Sequence, residues 1–258
     1  MFRGLYTAWT GKANEQKRLD VISNNMANSN TVGYKDEKVA SQAFDQVLGI
    51  KIRDGSQAYH NECIGSLSLG VKIGETYTDY SQGSVRQTGG TYDLALSGSG
   101  FFTVSVTDKA GEVHTRYTRD GRFHLTKDGL LVDADGNAVQ GQNGNITIDP
   151  SSKNVSISAT GQITADGELV DTLNIVDFED YDYLKKYGDT MYEPVDGATT
   201  KDAEGEILQG YTEQSNVNVV REMVDMITIT RAYEASQKVI HSYDSMLDKS
   251  VNQVGALK

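Results

Sequence analysis

The sequence predicts an α+β fold, with an amphipathic helix at each end of the chain and an antiparallel β domain between them. Three observations predict it. Apolar side chains recur at helical spacing over residues 3–30 and again over residues 216–254. The stretch from about 70 to 180 instead breaks into short β-type runs separated by Asp-Gly and Asn-Gly pairs.

In chain order, Leu5, Trp9, Leu19, Ile22 and Met26 are separated by three, four or sums of these, with Lys12 and Gln16 interrupting the stripe. That spacing predicts a helix from about Phe2 to Asn28, stopped by SNSNTVGYK. Residues 37–49, EKVASQAFDQVLG, carry helical propensity as a separate piece beyond Gly33. In the middle, Asp120-Gly121, Asp128-Gly129, Asp135-Gly136, Asn143-Gly144 and Asp166-Gly167 punctuate runs such as FFTVSV, LLVD and LNIVDF. Such pairs supply the positive φ angles of tight hairpins.

At the other end Val220, Met223, Ile227, Thr230, Tyr233, Gln237, Ile240, Leu247, Val251 and Val254 follow helical spacing. Asn216 or Asn218 can cap this helix, Glu222 and Asp225 suit its positive end, and Lys249 and Gly255 suit its stop. The organisation read from these patterns is a helical assembly region over 1–45, a connector over 46–82, the β domain over 83–180, a second connector over 181–213 and an assembly helix over 214–258. Two amphipathic helices need cover for their apolar stripes. They can pair with each other and with neighbouring copies as a coiled-coil-like core, or lie on the sheet of their own β domain; the pattern leaves both open.

The chain has 258 residues with 36 acids against 24 bases, a net charge of −12, which argues against a nucleic-acid or anionic-membrane partner. The single Cys63 excludes an internal disulfide and leaves too few thiols for a zinc ribbon or an iron–sulfur cluster. The N-terminal segment lacks the apolar stretch of a secretory signal, and no window approaches the ~18 apolar residues of a membrane span, so no membrane insertion is expected.

Catalytic motifs are absent: there is no GxSxG, HExxH, P-loop or helix-opening GxGxxG. His60, His114, His124 and His241 are scattered, and the cluster of His60, Glu62 and Cys63 reads as a solvated loop rather than a metal site. The DADGN segment at 133–137 resembles half a calcium loop but lacks the closing bidentate Glu, and reads as a hairpin turn. FEDYDYLKKYGDTMY (178–192) could offer a sugar-binding surface or simply pack its tyrosines on the β domain. No catalytic, cofactor-binding or metal-binding residue is expected, and no enzyme.

Three segments carry a family resemblance. LDVISNNMANSNTVGYK (19–35) resembles the N-terminal signature of bacterial flagellar rod and hook proteins, Asn-Asn-x-Ala-Asn followed by Thr-x-Gly-(Phe/Tyr)-Lys, with Met26 where Leu is usual. GSVRQTGGTYDLALSGSGFFTV (83–104) with YTRDGRFHLTKDGLLVDADGNAVQG (117–141) is similar to the central signature, and EQSNVNVVREMVDMITITRAYEASQKVI (213–240) to the C-terminal one. The resemblance is to the flagellar basal-body rod protein family, and the length fits a rod subunit, distal before proximal, better than the longer hook subunit.

The resemblance implies a structural subunit of the rod, the drive shaft between motor and hook, self-assembling into a helical tube with the terminal helices innermost. It implies copies of itself, other rod and hook subunits and the flagellar export apparatus as partners, no cofactor, and a place in the basal body reached without a cleaved signal. The assembly residues expected on α-helical seams are Leu5, Leu19, Ile22 and Met26 against Met223, Ile227, Ile240 and Leu247, with Val219 and Tyr233 beside them. Asn24, Asn25, Ala27, Asn28, Thr31, Gly33 and Tyr34 are expected to close the first helix or to recognise a neighbour. Asn216, Val217 and Asn218 open the second helix, and Arg231 with Glu234 is expected to act between subunits. A proximal rod or hook-like paralogue is the alternative within this class; a secreted module binding cell-wall glycan is the more remote one.

Overall fold

A computed structural model of the chain describes residues 2–51, 62–108 and 111–254. It divides into two units, one formed by residues 1–24, 37–77 and 219–258 and the other by residues 25–36 and 78–218.

The first unit contains the two long helices, α1 (Phe2–Ala27, whose last turn belongs to the second unit) and α2 (Val219–Lys249), the latter continued by a π-helical turn over Ser250–Val254. The shielded positions of α2 include Glu222, Met226, Ile229, Tyr233, Ser236, Ile240, Tyr243 and Leu247, stepping by four and three in alternation, with Thr230 and Gln237 of the stripe read from sequence beside them. In α1, Gly4, Ala8, Gly11, Glu15, Arg18 and Ile22 keep the same step. A side chain on Gly4 would overlap the Tyr243 hydroxyl, Gly11 faces Ser236, and the Lys12 ammonium lies 5.0 Å from the Tyr233 ring centre. Numbers rise along one helix as they fall along the other, so these contacts run antiparallel. Small residues on α1 admit the tyrosines of α2.

The apolar stripe read from sequence on α2 merges two faces. Tyr233, Ile240 and Leu247 are half-buried, while Val220, Met223 and Ile227 stand exposed on another side of the helix. Hydrophobicity alone does not separate a covered stripe from an uncovered one, and it passed over Ile229, which is buried.

The helical propensity over residues 37–49 is overridden. Asp36–Ala43 forms a strand paired with Val71–Asp79, and Val47–Lys51 pairs antiparallel with Glu62–Leu67. Helix formers such as Lys38, Ala40 and Gln42 yield where a partner strand supplies the backbone hydrogen bonds. Three strands thus begin within the segment read as a connector at 46–82.

The second unit is the β domain, and the strand pairings among its described residues are antiparallel. Phe101–Thr107 lies in the middle of its largest sheet, with Val113–Thr118 on one side and Ala138–Gly141 on the other. The two-residue period of a strand sends Phe102 and Val104 into a core with Leu94, Leu96, Leu131, Val139 and Ile163, and Phe101 into a second cluster with Phe178, Leu184 and Tyr192. Turn chemistry behaves as the sequence predicts at Asp166-Gly167, where both φ angles are positive (50° and 93°) between Gln162–Ala165 and Glu168–Thr172. Residues 181–213, read as a connector, hold five strands. Two of them close the domain: Glu206–Gln209 pairs with Leu94–Ser97, and Tyr211–Glu213 with Val85–Gln87.

The tyrosine-rich segment supplies aromatic packing. Tyr181 stacks on Tyr80 at 4.9 Å and Tyr192 meets Phe101 at 5.6 Å, whereas Tyr183 and Tyr187 remain exposed. The Tyr181 hydroxyl donates to Asp177 Oδ1 at 2.7 Å, and Lys201 reaches Oδ2 of the same buried carboxylate at 3.1 Å. No helix among the described residues is long and apolar enough to cross a membrane.

Burial, then the hydrogen bond and charge of Asp177, push the Tyr181 phenol from its usual 10.0 up to about 12. Between these values the unfolded chain loses this proton while the folded chain keeps it, so stability falls as pH rises through that window. Denaturant midpoints across it are expected to fall less steeply for Tyr181→Phe than for the native chain.

Candidate functional site

The end of α1 is closed by short polar side chains. Ser29 donates through its backbone N–H and hydroxyl to the Met26 carbonyl, and Thr31 donates to both the carbonyl and side-chain oxygen of Asn28. The chain then turns at Gly33, whose φ is +72° and where a Cβ would overlap the backbone of Arg119 and Asp120. Only glycine meets both conditions. The turn delivers Tyr34 and Lys35 into the interior of the second unit.

There Asn25, Tyr34 and Asp36 form one buried chain of contacts: the Tyr34 hydroxyl donates to Asn25 Oδ1 at 3.0 Å, and Asn25 Nδ2 to Asp36 Oδ1 at 2.6 Å. Lys35 is 1% exposed and reaches Glu213, fully buried, at 2.6 Å, and also the Ser81 carbonyl at 2.8 Å. Arg119, 4% exposed, approaches the other carboxylate oxygen of Glu213 at 3.2 Å and donates to the Gly98 carbonyl at 2.9 Å. The Gly83 amide gives Glu213 a third donor at 2.9 Å. Burial lowers the Lys35 pKa below its ordinary range, outweighing the opposing pull of Glu213, with Arg119 adding to the lowering.

Asn216 completes the join. Its side-chain oxygen accepts from the Asp36 amide at 2.8 Å, and its nitrogen donates to the Asp79 carbonyl at 2.8 Å and to Ser81. The side chain expected as a helix cap is therefore spent on Asp36, Asp79 and Ser81. Glu222 lies in the first turn of α2, where a carboxylate suits the helix dipole.

The residues expected at the assembly seams fall into two sets. Asn25, Gly33 and Tyr34 are buried in the second unit, Thr31 and Asn28 close the helix, and Asn216 and Val217 are half-buried beside them. These positions serve an internal join, and a fully buried Tyr34 cannot touch another molecule. On the helices Leu5, Leu19, Ile22, Met26, Tyr233, Ile240 and Leu247 are half-buried, while Asn24, Ala27, Asn218, Val219, Met223, Ile227, Arg231 and Glu234 are exposed. Arg231 and Glu234 form no ion pair with each other among the described residues. The sequence reading missed Lys35, Arg119 and Glu213 although each stood inside a quoted signature. Taken singly, none of the three differs in sequence from a solvated surface charge.

His60 lies outside the described residues, as do the side chains of Glu62 and Cys63. The Asp133 carboxylate accepts from the amides of Asp135 and Asn137 and from the Asn137 side chain, so it is engaged in closing the DADGN turn. No group of three or more His, Cys, Asp or Glu that could hold a metal ion occurs among the described residues.

Three families match along the chain. Residues 5–35 match "Flagella basal body rod protein", residues 95–165 the "Flagellar hook protein FlgE/F/G D1 domain", and residues 208–254 the "Flagellar basal body rod FlgEFG protein C-terminal". Lys35, Arg119 and Glu213 come one from each matched segment. The flagellar basal-body rod protein FlgG of Bacillus subtilis (strain 168) is 34% identical over 276 aligned residues, covering 98% of this chain and 99% of that protein. This chain belongs to the flagellar basal-body rod protein family.

Among other relatives, FlgG of Caulobacter vibrioides is 36% identical over 95% of this chain and 97% of its own length. FlgF of the same organism is 32% identical over the whole of both chains. The rod-protein signatures at the two ends thus converge on one carboxylate in the β unit.

Gly33→Ala is expected to destabilise the second unit by about 3 kcal/mol or more, from the positive φ and the overlap with Asp120 together. A chemical-denaturation midpoint of the purified chain checks this.

Proposed function

We propose that this rod-family chain is a structural subunit of the flagellar basal-body rod that polymerises with copies of itself into a helical tube. In this reading α1 and α2 pair as a coiled-coil-like inner layer, and the tube joins other rod and hook subunits after passage through the flagellar export apparatus. It works as a drive shaft by repeated contact, with no catalytic step. The supporting observation is the outer face of the helices. Trp9 is 62% exposed and Val220 73% exposed, and Tyr6, Met223, Val224 and Ile227 are also uncovered.

An apolar side chain gains about 1.5–3 kcal/mol when fully buried. A face of this kind, repeated on every copy, can stabilise a lattice in which no single contact is strong. Heterologous contacts of this kind propagate into open helical filaments. We assign the distal position because, within Caulobacter vibrioides, FlgG matches at 36% identity and FlgF at 32%. The full-length match to FlgF favours the proximal position as the second reading.

Electron microscopy of basal bodies from a strain lacking the gene, beside a motility assay, tests the reading. Missing or shortened rods without hooks, restored by complementation, support it; normal flagella and swimming overturn it. The doubly substituted Val224→Asp, Ile227→Asp chain is expected to unfold within about 0.5 kcal/mol of the native chain, because both sites are exposed. It is expected to leave the complemented strain without rods, since it puts charge into an apolar seam.

A further inference from the structure

Two buried cations share one buried carboxylate. Glu213 lies 178 positions from Lys35 and 94 from Arg119 in sequence, and it is the last of the three to leave any N-to-C process. The two cores of the β unit, built on Leu94, Phe102 and Val139 and on Phe101 and Tyr192, draw no residue from 25–36. What holds the root of α1 is different. Gly33 donates its amide to the Glu213 carbonyl at 2.8 Å, Lys35 pairs with the Glu213 carboxylate, and the Asp36 amide is taken by Asn216.

Without the Glu213 carboxylate, Lys35 and Arg119 would be buried cations side by side, with only the weaker pull of Asp79 left to favour the Lys35 charge. Arg119 cannot withdraw easily, because its guanidinium is also fixed by the Gly98 carbonyl and lies 5.3 Å from the Phe101 ring centre. Lys35, whose other hydrogen-bond partner among the described residues is the Ser81 carbonyl, can leave by carrying the 33–36 segment out to water. We propose that Glu213 is a latch: pairing of the Tyr211–Glu213 strand with Val85–Gln87 supplies the counter-charge that seats the root of α1. The two ends of the chain therefore become competent together, only when the C-terminal strand is in place. The latch itself is independent of the rod reading; only its use, withholding incomplete chains from assembly, rests on that reading.

Amide hydrogen exchange on the full-length chain tests it. In Glu213→Gln, protection at Gly33–Asp36 is expected to fall by about tenfold or more, while Phe101–Thr107 and Val113–Thr118 keep theirs. Adding Lys35→Met to that variant is expected to restore much of the lost protection by removing the cation that drives release. Equal loss across root and core strands, global unfolding of Glu213→Gln, retained protection at the root, or failure of Lys35→Met to restore it would each overturn the latch. None of these readouts uses a rod, so the latch and the rod function stand or fall separately.

Discussion

The burial of two cations against the single carboxylate of Glu213 is the constraint on which the seating of residues 33–36 in the second unit depends. Ion pairs removed from water lose much of their attraction to desolvation, so this one is poor evidence of added stability. Its cost shows at Lys35, whose pKa burial lowers despite a carboxylate at 2.6 Å. What the arrangement supplies is a join: a lysine, an arginine and a glycine amide meet on one carboxylate and bring residues 35, 83, 119 and 213 together. Mispaired strands would leave at least one charge buried alone.

The helices obey a different logic. Their shielded residues repeat by fours and threes, and at the N-terminal end of α1 these include Gly4, Ala8 and Gly11 beside the half-buried Leu5, the three small ones covering little area themselves. Their value is the room they leave for Tyr243 and Ser236. Close approach there leaves the larger apolar residues, Tyr6 and Trp9, on the outside. A self-contained globule would gain by the reverse arrangement, with large residues within and small ones without. The distribution suits a chain whose burial is completed by something else.

Much of this was legible in the sequence. The helix ends were within a few residues, because periodicity over seven turns is a strong signal and Asn and Gly mark the stop. The β character of the middle followed from Asp-Gly turns such as Asp166-Gly167. Residues 37–49 were not legible, since local propensity competes with the partner strands Val71–Asp79 and Glu62–Leu67, and propensity lost. Strands of three or four residues between 184 and 213 carry too little periodicity to be seen singly. The charged join was hidden for another reason: Lys35, Arg119 and Glu213 look like surface residues one at a time, and only their convergence shows them to be buried.

The use of polar side chains in the β unit points the same way as the helices. Asp120 is bound by its near neighbour Arg122, and Asp133 closes its own turn. Asp171 accepts from Asn143 and from the amide of Thr172, and Asp177 from Tyr181 and Lys201. Each of these buried or half-buried carboxylates is consumed in holding backbone or a neighbouring side chain. Active sites work by the opposite economy, keeping a polar group aimed at space where a substrate will come. These carboxylates are turned inward on structure while Tyr6, Trp9, Val220 and Met223 lie exposed on the helices, the disposition that the proposed assembly by packing needs.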